Sequence, residues 1–317
     1  MLTREQIESF NENGYLVIED VIDEVEVIEP IRREYAVLMD ELYDGWHREG
    51  RLKAPPHGMG FHDKLLAAHK AGCDWFQPMD ISLPGDRISS NSPMHFGPAV
   101  FDLLRNRRLL DVVESLIGPE ITSNPIQHVR IKPPSAVVAA DEARGHVTVT
   151  DWHQDRGVHH EDADHTSMVT VWCAISDATL DNGCMVVVPG AHRAGMLPHC
   201  PKRQTSIADG LIDESQAVPL TVRSGGMIVF HPLVPHASRA NLTDGFRWSF
   251  DIRYNRTGEP TGRAHFPAFV ARSRANPASE LKDWRKWLSM WEQARATLAV
   301  QPHIANHRWT SDAPACA

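Results

Sequence analysis

A histidine and an aspartate two residues apart, His153 and Asp155, are the side chains in this sequence with the clearest potential chemistry. Two imidazoles and one carboxylate can bind one face of an iron(II) ion and leave the opposite positions open for a co-substrate and O2. His236 is a histidine that could complete such a set. These residue types therefore point to the metal site of an oxygenase.

The spacing of the pair does not identify it by itself. With 18 His and 41 acidic residues in 317 positions, about two His-x-Asp/Glu pairs are expected by chance, and the chain contains four. The others are His47-Glu49, His159-Glu161 and His160-Asp162. The last two lie in the polar run 159–165, which we interpret as a solvated loop or a substrate lid.

The third ligand has two candidates, His231 and His236, which both follow the apolar run 227–230. His236 stands just before Ser238, and Arg247 begins the next strand-like run. His231 precedes a proline, where a structural histidine is the simpler interpretation. We therefore favour His236 and keep His231 as the alternative.

Short strands must position these residues, because the sequence beyond residue 120 alternates β-like runs with turn signals such as Asn182-Gly183 and Gly225-Gly226. The predicted strands are 126–131, 147–150, 168–175, 185–188, 217–222, 227–230 and 246–254. Side chains two apart on a strand share a face, so we expect His153 and Asp155 to project together from the end of strand 147–150. The pattern predicts a mainly β fold with helical flanks (α+β), built as a sandwich or jelly roll.

Helices are predicted on either side of these strands. Thr3 and Gln6 form a capping-box pattern that begins a helix ending at Gly14. A strand at 15–18, a helix through 28–42 and a helix at 99–116 follow, whereas 45–95 lacks periodicity and is interpreted as loop or lid. The last helix, near 279–296, carries a tryptophan stripe that predicts core packing or a dimer face.

Composition limits the class of protein. No linker or repeat divides the 317 residues, so we expect one domain, with a helical N-terminal region at 1–120, a jelly-roll core at 121–256 and a helical extension at 257–317. The net charge of -9 is spread along the chain, which argues against nucleic acid as a partner. The sequence shows neither a signal peptide nor a membrane-spanning run, so a cytoplasmic protein is expected.

The five cysteines include no Cys-x-x-Cys motif, so we predict neither a disulfide framework nor a zinc knuckle. Cys173 and Cys184 lie in apolar runs and are expected to be buried thiols.

Several motifs in a fixed order make the chain resemble the phytanoyl-CoA dioxygenase family of iron(II)- and 2-oxoglutarate-dependent oxygenases. They are Ile-Lys-Pro-Pro at 131–134, Trp-His-Gln-Asp at 152–155, the run 181–193, and the segment from Phe230-His231-Pro232 to Arg247. The resemblance implies a double-stranded β-helix, the cupin-like jelly roll. It also implies that His153, Asp155 and His236 bind iron.

The same resemblance assigns the co-substrate residues. Arg247 would bind the distal carboxylate of 2-oxoglutarate, since a guanidinium holds a carboxylate bidentately, and Ser238 would assist. Trp172 would line the co-substrate pocket, and Gln127 is a weaker candidate for a contact there. Arg253 and Arg239 are nearby alternatives that we interpret as surface or sheet-edge charges.

The implied activity is a dioxygenase that uses Fe(II), 2-oxoglutarate and O2 to hydroxylate a small organic molecule, releasing succinate and CO2. Asp155 favours oxygenation, because halogenating relatives replace this carboxylate with a small residue. Two alternatives stay open: a cupin-type metalloenzyme independent of 2-oxoglutarate, and a catalytically silent metal-binding jelly roll. We expect substrate contacts in loops 45–95, 133–146 and 156–167, and a homodimer also stays open.

Overall fold

Helices occupy both ends of the chain and strands its middle in the computed structural model, which describes residues 1–55, 57–142, 144, 147–306 and 308–316. The α-helices of these residues are α1 (Arg4–Asn13), α2 (Glu29–Arg48), α3 (Phe61–Lys70), α4 (Phe76–Met79), α5 (Pro98–Leu104), α6 (Arg107–Ile117) and α7 (Trp284–Leu298). The strands are β1 (Tyr15–Ile18), β2 (Glu120–Lys132), β3 (Met168–Ala174), β4 (Met185–Val187), β5 (His199–Pro201), β6 (Thr205–Ile207), β7 (Val218–Leu220), β8 (Met227–Phe230), β9 (His236–Ser238), β10 (Arg247–Arg256) and β11 (Phe269–Ser273).

Two facing antiparallel sheets form the centre of the described residues. The larger has the order β1-β8-β3-β10-β2-β11, and the smaller has the order β7-β4-β9, with β5 and β6 forming a separate hairpin. Trp172 and Phe230 of the larger sheet pack against Met185 and Leu220 of the smaller one. This double-stranded β-helix with helical flanks confirms the predicted fold class.

The two faces of the larger sheet differ because side chains alternate along each strand. Phe250 on the outer face joins the core beneath the helices, where its ring lies 5.9 Å from that of Tyr35 in α2. Residues 247, 249, 251 and 253 of the same strand face inward. The outer face of β10 therefore supports the helical layer, and its inner face carries charged side chains into the barrel.

The first helix and strand agree with the sequence. Thr3 and Gln6 form the expected capping box, and Gly14 ends α1 with a left-handed conformation at φ 79°. A Cβ at this glycine would lie 2.5 Å from His192 Nδ1, so both the backbone and the packing require glycine here. Strand β1 then pairs with β8 at the edge of the larger sheet.

Several predicted boundaries are wrong. The segment 45–95, interpreted as loop or lid, contains α3 and α4 and the end of α2. The predicted helix 99–116 is two helices, because Asn106 accepts a hydrogen bond from the Leu109 amide and caps the start of α6. Residues 147–150 form no strand, and β5, β6, β9 and β11 were not predicted.

The tryptophans of the last helix were predicted to form either core packing or a dimer face, and two of them pack in the core. Trp287 and Trp291 are buried, and their rings lie 4.6 and 4.9 Å from that of Phe96. The helix begins later than expected, at Trp284, where the Asp283 side chain accepts from the Arg285 amide.

Two of the five cysteines form a disulfide that was not predicted. Cys200 and Cys316 form a disulfide across 116 positions, whereas Cys73, Cys173 and Cys184 are free and buried. The expectation that no disulfide is indicated is therefore wrong for this pair, since such distant cysteines meet only through the tertiary fold. Among the residues described, no helix is long and apolar enough to cross a membrane.

Candidate metal centre

The three predicted metal ligands come together in the structure. One ligand atom from each of His153, Asp155 and His236 lies within 4.8 Å of the other two. His153 and His236 exchange two backbone hydrogen bonds of 3.0 Å, so the segment with His153 pairs with the start of β9. Asp155 begins a short 3-10 turn at Asp155–Val158. The bridge and the turn, rather than a strand at 147–150, place the pair.

Hydrogen bonds orient both imidazoles. The Nδ1 atom of His153 lies 2.8 Å from the carbonyl oxygen of Asp151, and that of His236 lies 3.0 Å from the carbonyl oxygen of Val234. Each Nδ1–H donates to its carbonyl, which leaves each Nε2 as the free acceptor. Phe230 stacks on the His236 ring at 4.6 Å. Both rings are therefore held in the tautomer and orientation that a metal ligand needs.

Asp155 has one oxygen in use and one free. Arg253 donates to Oδ1, whereas buried Oδ2 lacks a hydrogen-bond partner among the residues that the structure describes and lies 3.9 Å from His236 Nε2. A buried carboxylate oxygen without a partner costs free energy, and a bound metal ion would remove that cost. The donor set of two imidazole nitrogens and one carboxylate oxygen fits iron(II).

The protonation states also suit metal binding. Burial, with the neighbouring His236, lowers the pKa of His153 to about 3, so its ring is neutral at neutral pH. Burial alone would raise the pKa of Asp155, but Arg253 and the two histidines lower it below its ordinary value. A neutral imidazole and an ionised carboxylate are the forms that bind a cation.

Arg253 corrects a prediction. The sequence suggested a surface or sheet-edge charge, but its side chain is buried and also donates to the carbonyl oxygen of Ile126 at 3.1 Å. Its position six residues after Arg247 on the same strand is the signal that could have placed it, since both side chains face inward. Arg239, by contrast, is exposed as expected.

The predicted co-substrate residues Arg247, Ser238 and Trp172 lie in one region. Arg247 is 2% exposed, its guanidinium lies 5.0 Å from the centre of the Trp172 ring, and it donates to Ser249 Oγ at 3.0 Å. Lys132 is paired in register with Arg247. Its Nζ donates to Ser238 Oγ at 2.6 Å and to the Arg239 carbonyl at 2.8 Å.

Lys132 is the residue that the sequence analysis missed here, although it belongs to the Ile-Lys-Pro-Pro motif. Burial, followed by the charge of Arg247, lowers its pKa well below the ordinary value. Burial and Arg130 lower the pKa of Arg247 to about 9. In the described residues no acidic side chain forms an ion pair with Lys132 or Arg247. Two adjacent buried cations without a carboxylate form a site that favours an anion.

Two further candidates from the sequence, Gln127 and His231, make other contacts in the structure. Gln127 is buried, and its side-chain amide donates to the carbonyl oxygen of Ile81 at 2.9 Å; its contact with the co-substrate stays a prediction. His231, the alternative third ligand, accepts from the Leu233 amide at 3.1 Å and packs against His192 at 4.9 Å. It is not part of the ligand cluster.

Iron(II)- and 2-oxoglutarate-dependent oxygenases are the class of enzyme in which a double-stranded β-helix carries such a cluster beside an anion site. Within that class, the profile of the phytanoyl-CoA dioxygenase (PhyH) family matches residues 10–249, and the chain belongs to this family. It is therefore an oxidoreductase, and His153, Asp155 and His236 could hold a metal ion.

Relatives with known names agree with this membership. A probable phytanoyl-CoA dioxygenase of Caenorhabditis elegans is 26% identical over 269 residues, covering 80% of this chain and 75% of that protein. The peroxisomal phytanoyl-CoA dioxygenase of Mus musculus is 28% identical over 263 residues, covering 80% and 68%.

Solved structures share the fold. The apo non-heme monooxygenase ThoJ is 20% identical, with a TM-score of 0.59 over 93% of this chain and 97% of that one. EvdO2 from Micromonospora carbonacea, solved with 2-oxoglutarate, is 22% identical, with a TM-score of 0.53 over 82% and 94%.

Proposed function

We propose that this protein hydroxylates a small organic molecule while converting 2-oxoglutarate to succinate and CO2. His153, Asp155 and His236 would hold iron(II), and Arg247 with Ser238 would bind the distal carboxylate of 2-oxoglutarate. The observation that carries the proposal is the unpartnered Asp155 oxygen beside two free imidazole nitrogens. The buried, unpaired cations Lys132 and Arg247 supply the matching anion site.

Each side chain of the site has a definable task. When bound, iron(II) supplies the O2-dependent oxidation. Arg253 occupies Oδ1 of Asp155 and so leaves a single oxygen for the metal. Arg247 and Lys132 provide the positive charge for a carboxylate, and Ser238 provides a hydroxyl already oriented by Lys132. Trp172 covers the Arg247 guanidinium and limits the access of water to it.

This arrangement separates the proposal from its alternatives. An enzyme independent of 2-oxoglutarate has no use for a buried lysine and arginine without a carboxylate, and that pair therefore favours 2-oxoglutarate. A silent metal-binding protein needs no co-substrate site either. Retention of Asp155 supports hydroxylation rather than halogenation, because the carboxylate fills the position that a halide needs.

We also infer that residues 1–317 form one domain, because α2 packs on the sheet that carries the site. A cytoplasmic location stays a prediction. The disulfide between Cys200 and Cys316 bears on it, since disulfides are uncommon in a reducing cytosol.

The test is the anaerobic addition of 2-oxoglutarate to the protein loaded with Fe(II), which should produce a weak visible charge-transfer band. His236→Ala should abolish the band, and the matched substitution His231→Ala should retain it. A wild-type protein that binds Fe(II) without developing the band would refute the proposal.

A further inference from the structure

A group of buried cationic and imidazole side chains lies next to the proposed metal centre, and apart from Arg253, which contacts Asp155, its members have no role in the function described so far. We call His159, Arg156, Arg253 and Arg263 the arginine–histidine cluster. His159 is 0% exposed and Arg263 is 8% exposed, and Arg156 and Arg253 are buried as well. The composition of the run 159–165 predicts a solvated loop or a substrate lid, and the burial of His159 shows that its side chain is not solvated.

The hydrogen bonds of this cluster are incomplete. Neither ring nitrogen of His159 has a hydrogen-bond partner among the described residues, and the Nε atoms of Arg156 and Arg263 also lack one. Arg263 donates to the Val158 carbonyl oxygen at 3.0 Å. Arg156 donates to backbone carbonyls, including that of Thr166 at 2.9 Å. These contacts are all to neutral groups.

Each of two nearby carboxylates already pairs with another arginine. Asp155 accepts from Arg253, and Asp164 forms an ion pair of 2.6 Å with Arg308. Within the stretches of chain that the structure describes, neither Arg156 nor Arg263 has an acidic side chain within ion-pair distance. Burial of a guanidinium without a counter-charge costs free energy. Arginine cannot avoid this cost by losing its proton at neutral pH.

The backbone around His159 is closely fitted to its ring. Gly262 has φ +76°, and a Cβ there would lie 2.9 Å from His159 Cβ. The amide of His160 donates to the Gly262 carbonyl at 3.2 Å, which ties the two segments together. The ring is therefore held in place by packing while its two nitrogens lack hydrogen-bond partners among the described residues.

Arg253 links the cluster to the metal centre. It contacts Asp155, and after burial its charge is the largest influence that lowers the pKa of His159 and of Arg263. His159 is consequently neutral, with one N–H to donate. The cluster thus adds fixed positive charge on the Asp155 side of the metal ligands.

We propose that the arginine–histidine cluster binds an anionic group of the substrate, with Arg263 as its main charged contact and the N–H of His159 as a second donor. The inference deepens the proposed function and rests on it. A carboxylate and a phosphate share the chemistry that these side chains recognise, so the substrate is an organic acid or an organic phosphate. The anion is held beside the metal while another portion of the same molecule is oxidised.

The experiment compares three probes of equal chain length: hexanoate, hexyl phosphate and the neutral hexanamide. Each is titrated calorimetrically, without O2, into protein loaded with Fe(II) and saturated with 2-oxoglutarate, so that the Arg247 site is already filled. At least one anion should bind tenfold or more tightly than hexanamide, and the stronger of the two identifies the substrate's anionic group. Equal affinity for hexanamide, or no measurable binding of either anion, would overturn the inference.

Substitutions locate the effect. Arg263→Gln should remove the preference for the anion yet retain the charge-transfer band with 2-oxoglutarate. Arg263→Lys, which keeps the charge, should retain some of the preference, and it guards against loss of folding, which circular dichroism monitors. Arg33→Gln, at an exposed arginine, should change nothing. An undiminished preference in folded Arg263→Gln contradicts the inference.

The two proposals fail in different ways. Absence of the band in the wild-type protein counts against the 2-oxoglutarate site and leaves the anion titration, repeated on metal-free protein, as an independent measurement. Presence of the band without anion preference counts against the cluster alone.

Discussion

Substitution of Arg247 by methionine separates the role of its charge from the role of its packing. The guanidinium is 2% exposed, and none of the described acidic side chains forms an ion pair with it. Under the proposed function, the distal carboxylate of 2-oxoglutarate would be its partner. Removal of one member of a buried, hydrogen-bonded charge pair costs about 2–5 kcal/mol, which weakens 2-oxoglutarate binding by about 30-fold to several thousand-fold.

Thermal unfolding measures this effect without a known substrate. At a 2-oxoglutarate concentration 100 times its Kd, the ligand stabilises the wild-type protein by about 2.7 kcal/mol, or about 4 °C in Tm for a chain of 317 residues. If Arg247→Met binds 100-fold more weakly, the same concentration stabilises it by about 0.4 kcal/mol, or about 1 °C. The assay is the Tm of the protein loaded with Co(II) or Fe(II), with and without 2-oxoglutarate.

In the absence of 2-oxoglutarate, Arg247→Met should not lower the free energy of unfolding in the way that an ordinary core substitution does. Arg247→Met removes repulsion from Lys132, which offsets the lost contacts with Trp172 and Ser249. The free energy of unfolding should therefore stay within about 1 kcal/mol of the wild-type value, or rise. Lys132→Met should show the same pattern, and Arg33→Met is the exposed control.

Two results would refute this reasoning. A full 2-oxoglutarate shift in folded Arg247→Met would show that the guanidinium does not bind the carboxylate. Loss of metal binding in this variant would show that Arg247 acts on the ligand cluster instead. Arg247→Lys should be intermediate, because an ammonium keeps the charge without the bidentate geometry.

Three other predictions concern stability. Burial lowers the pKa of His199 to about 4; its unfolded pKa is near 6.5, so this contribution is complete above pH 6.5 and is lost towards pH 4, by at most about 1.4 kcal/mol per pH unit. Urea unfolding across this range should show a shallower pH dependence in His199→Gln. Arg253→Met leaves Asp155 without its cation and should cost the metal-free protein about 3–5 kcal/mol, which added Co(II) should partly restore. Cys316→Ser opens the loop closed by Cys200 and should lower stability by up to about 5 kcal/mol, as measured by Tm without reductant.

The matched controls for these predictions are exposed residues. His57→Gln should keep the wild-type pH dependence, and Arg33→Met should leave metal-free stability unchanged. A pH dependence identical in His199→Gln and wild type would contradict the assignment of the acid effect to that ring. An unchanged Tm on reduction of the wild-type protein would contradict the contribution of the disulfide.

Local features were predictable because their determinants lie within a few residues. Thr3 and Gln6 cap α1 through contacts three positions apart. The end of α1 at Gly14 depends only on the left-handed conformation of that one residue. The candidate ligands were also predictable, because the order of short motifs around His153, Asp155 and His236 is visible without any contact. The apolar periodicity of the last helix likewise predicted a tryptophan stripe for core packing or a dimer face, and Trp287 and Trp291 are buried in the core.

The sequence by itself therefore determined the fold class and the identity of the three residues that meet at the candidate metal centre. Only the tertiary structure decided that Lys132 lies beside Arg247, that Arg253 holds Asp155, and that His159 is buried. The physical reason is that burial of a polar side chain depends on the register of strands far apart in the chain and on what covers them. The composition of the run 159–165 predicts exposure, and most of the run is exposed, but the tertiary packing buries His159, against which Gly262 lies closely.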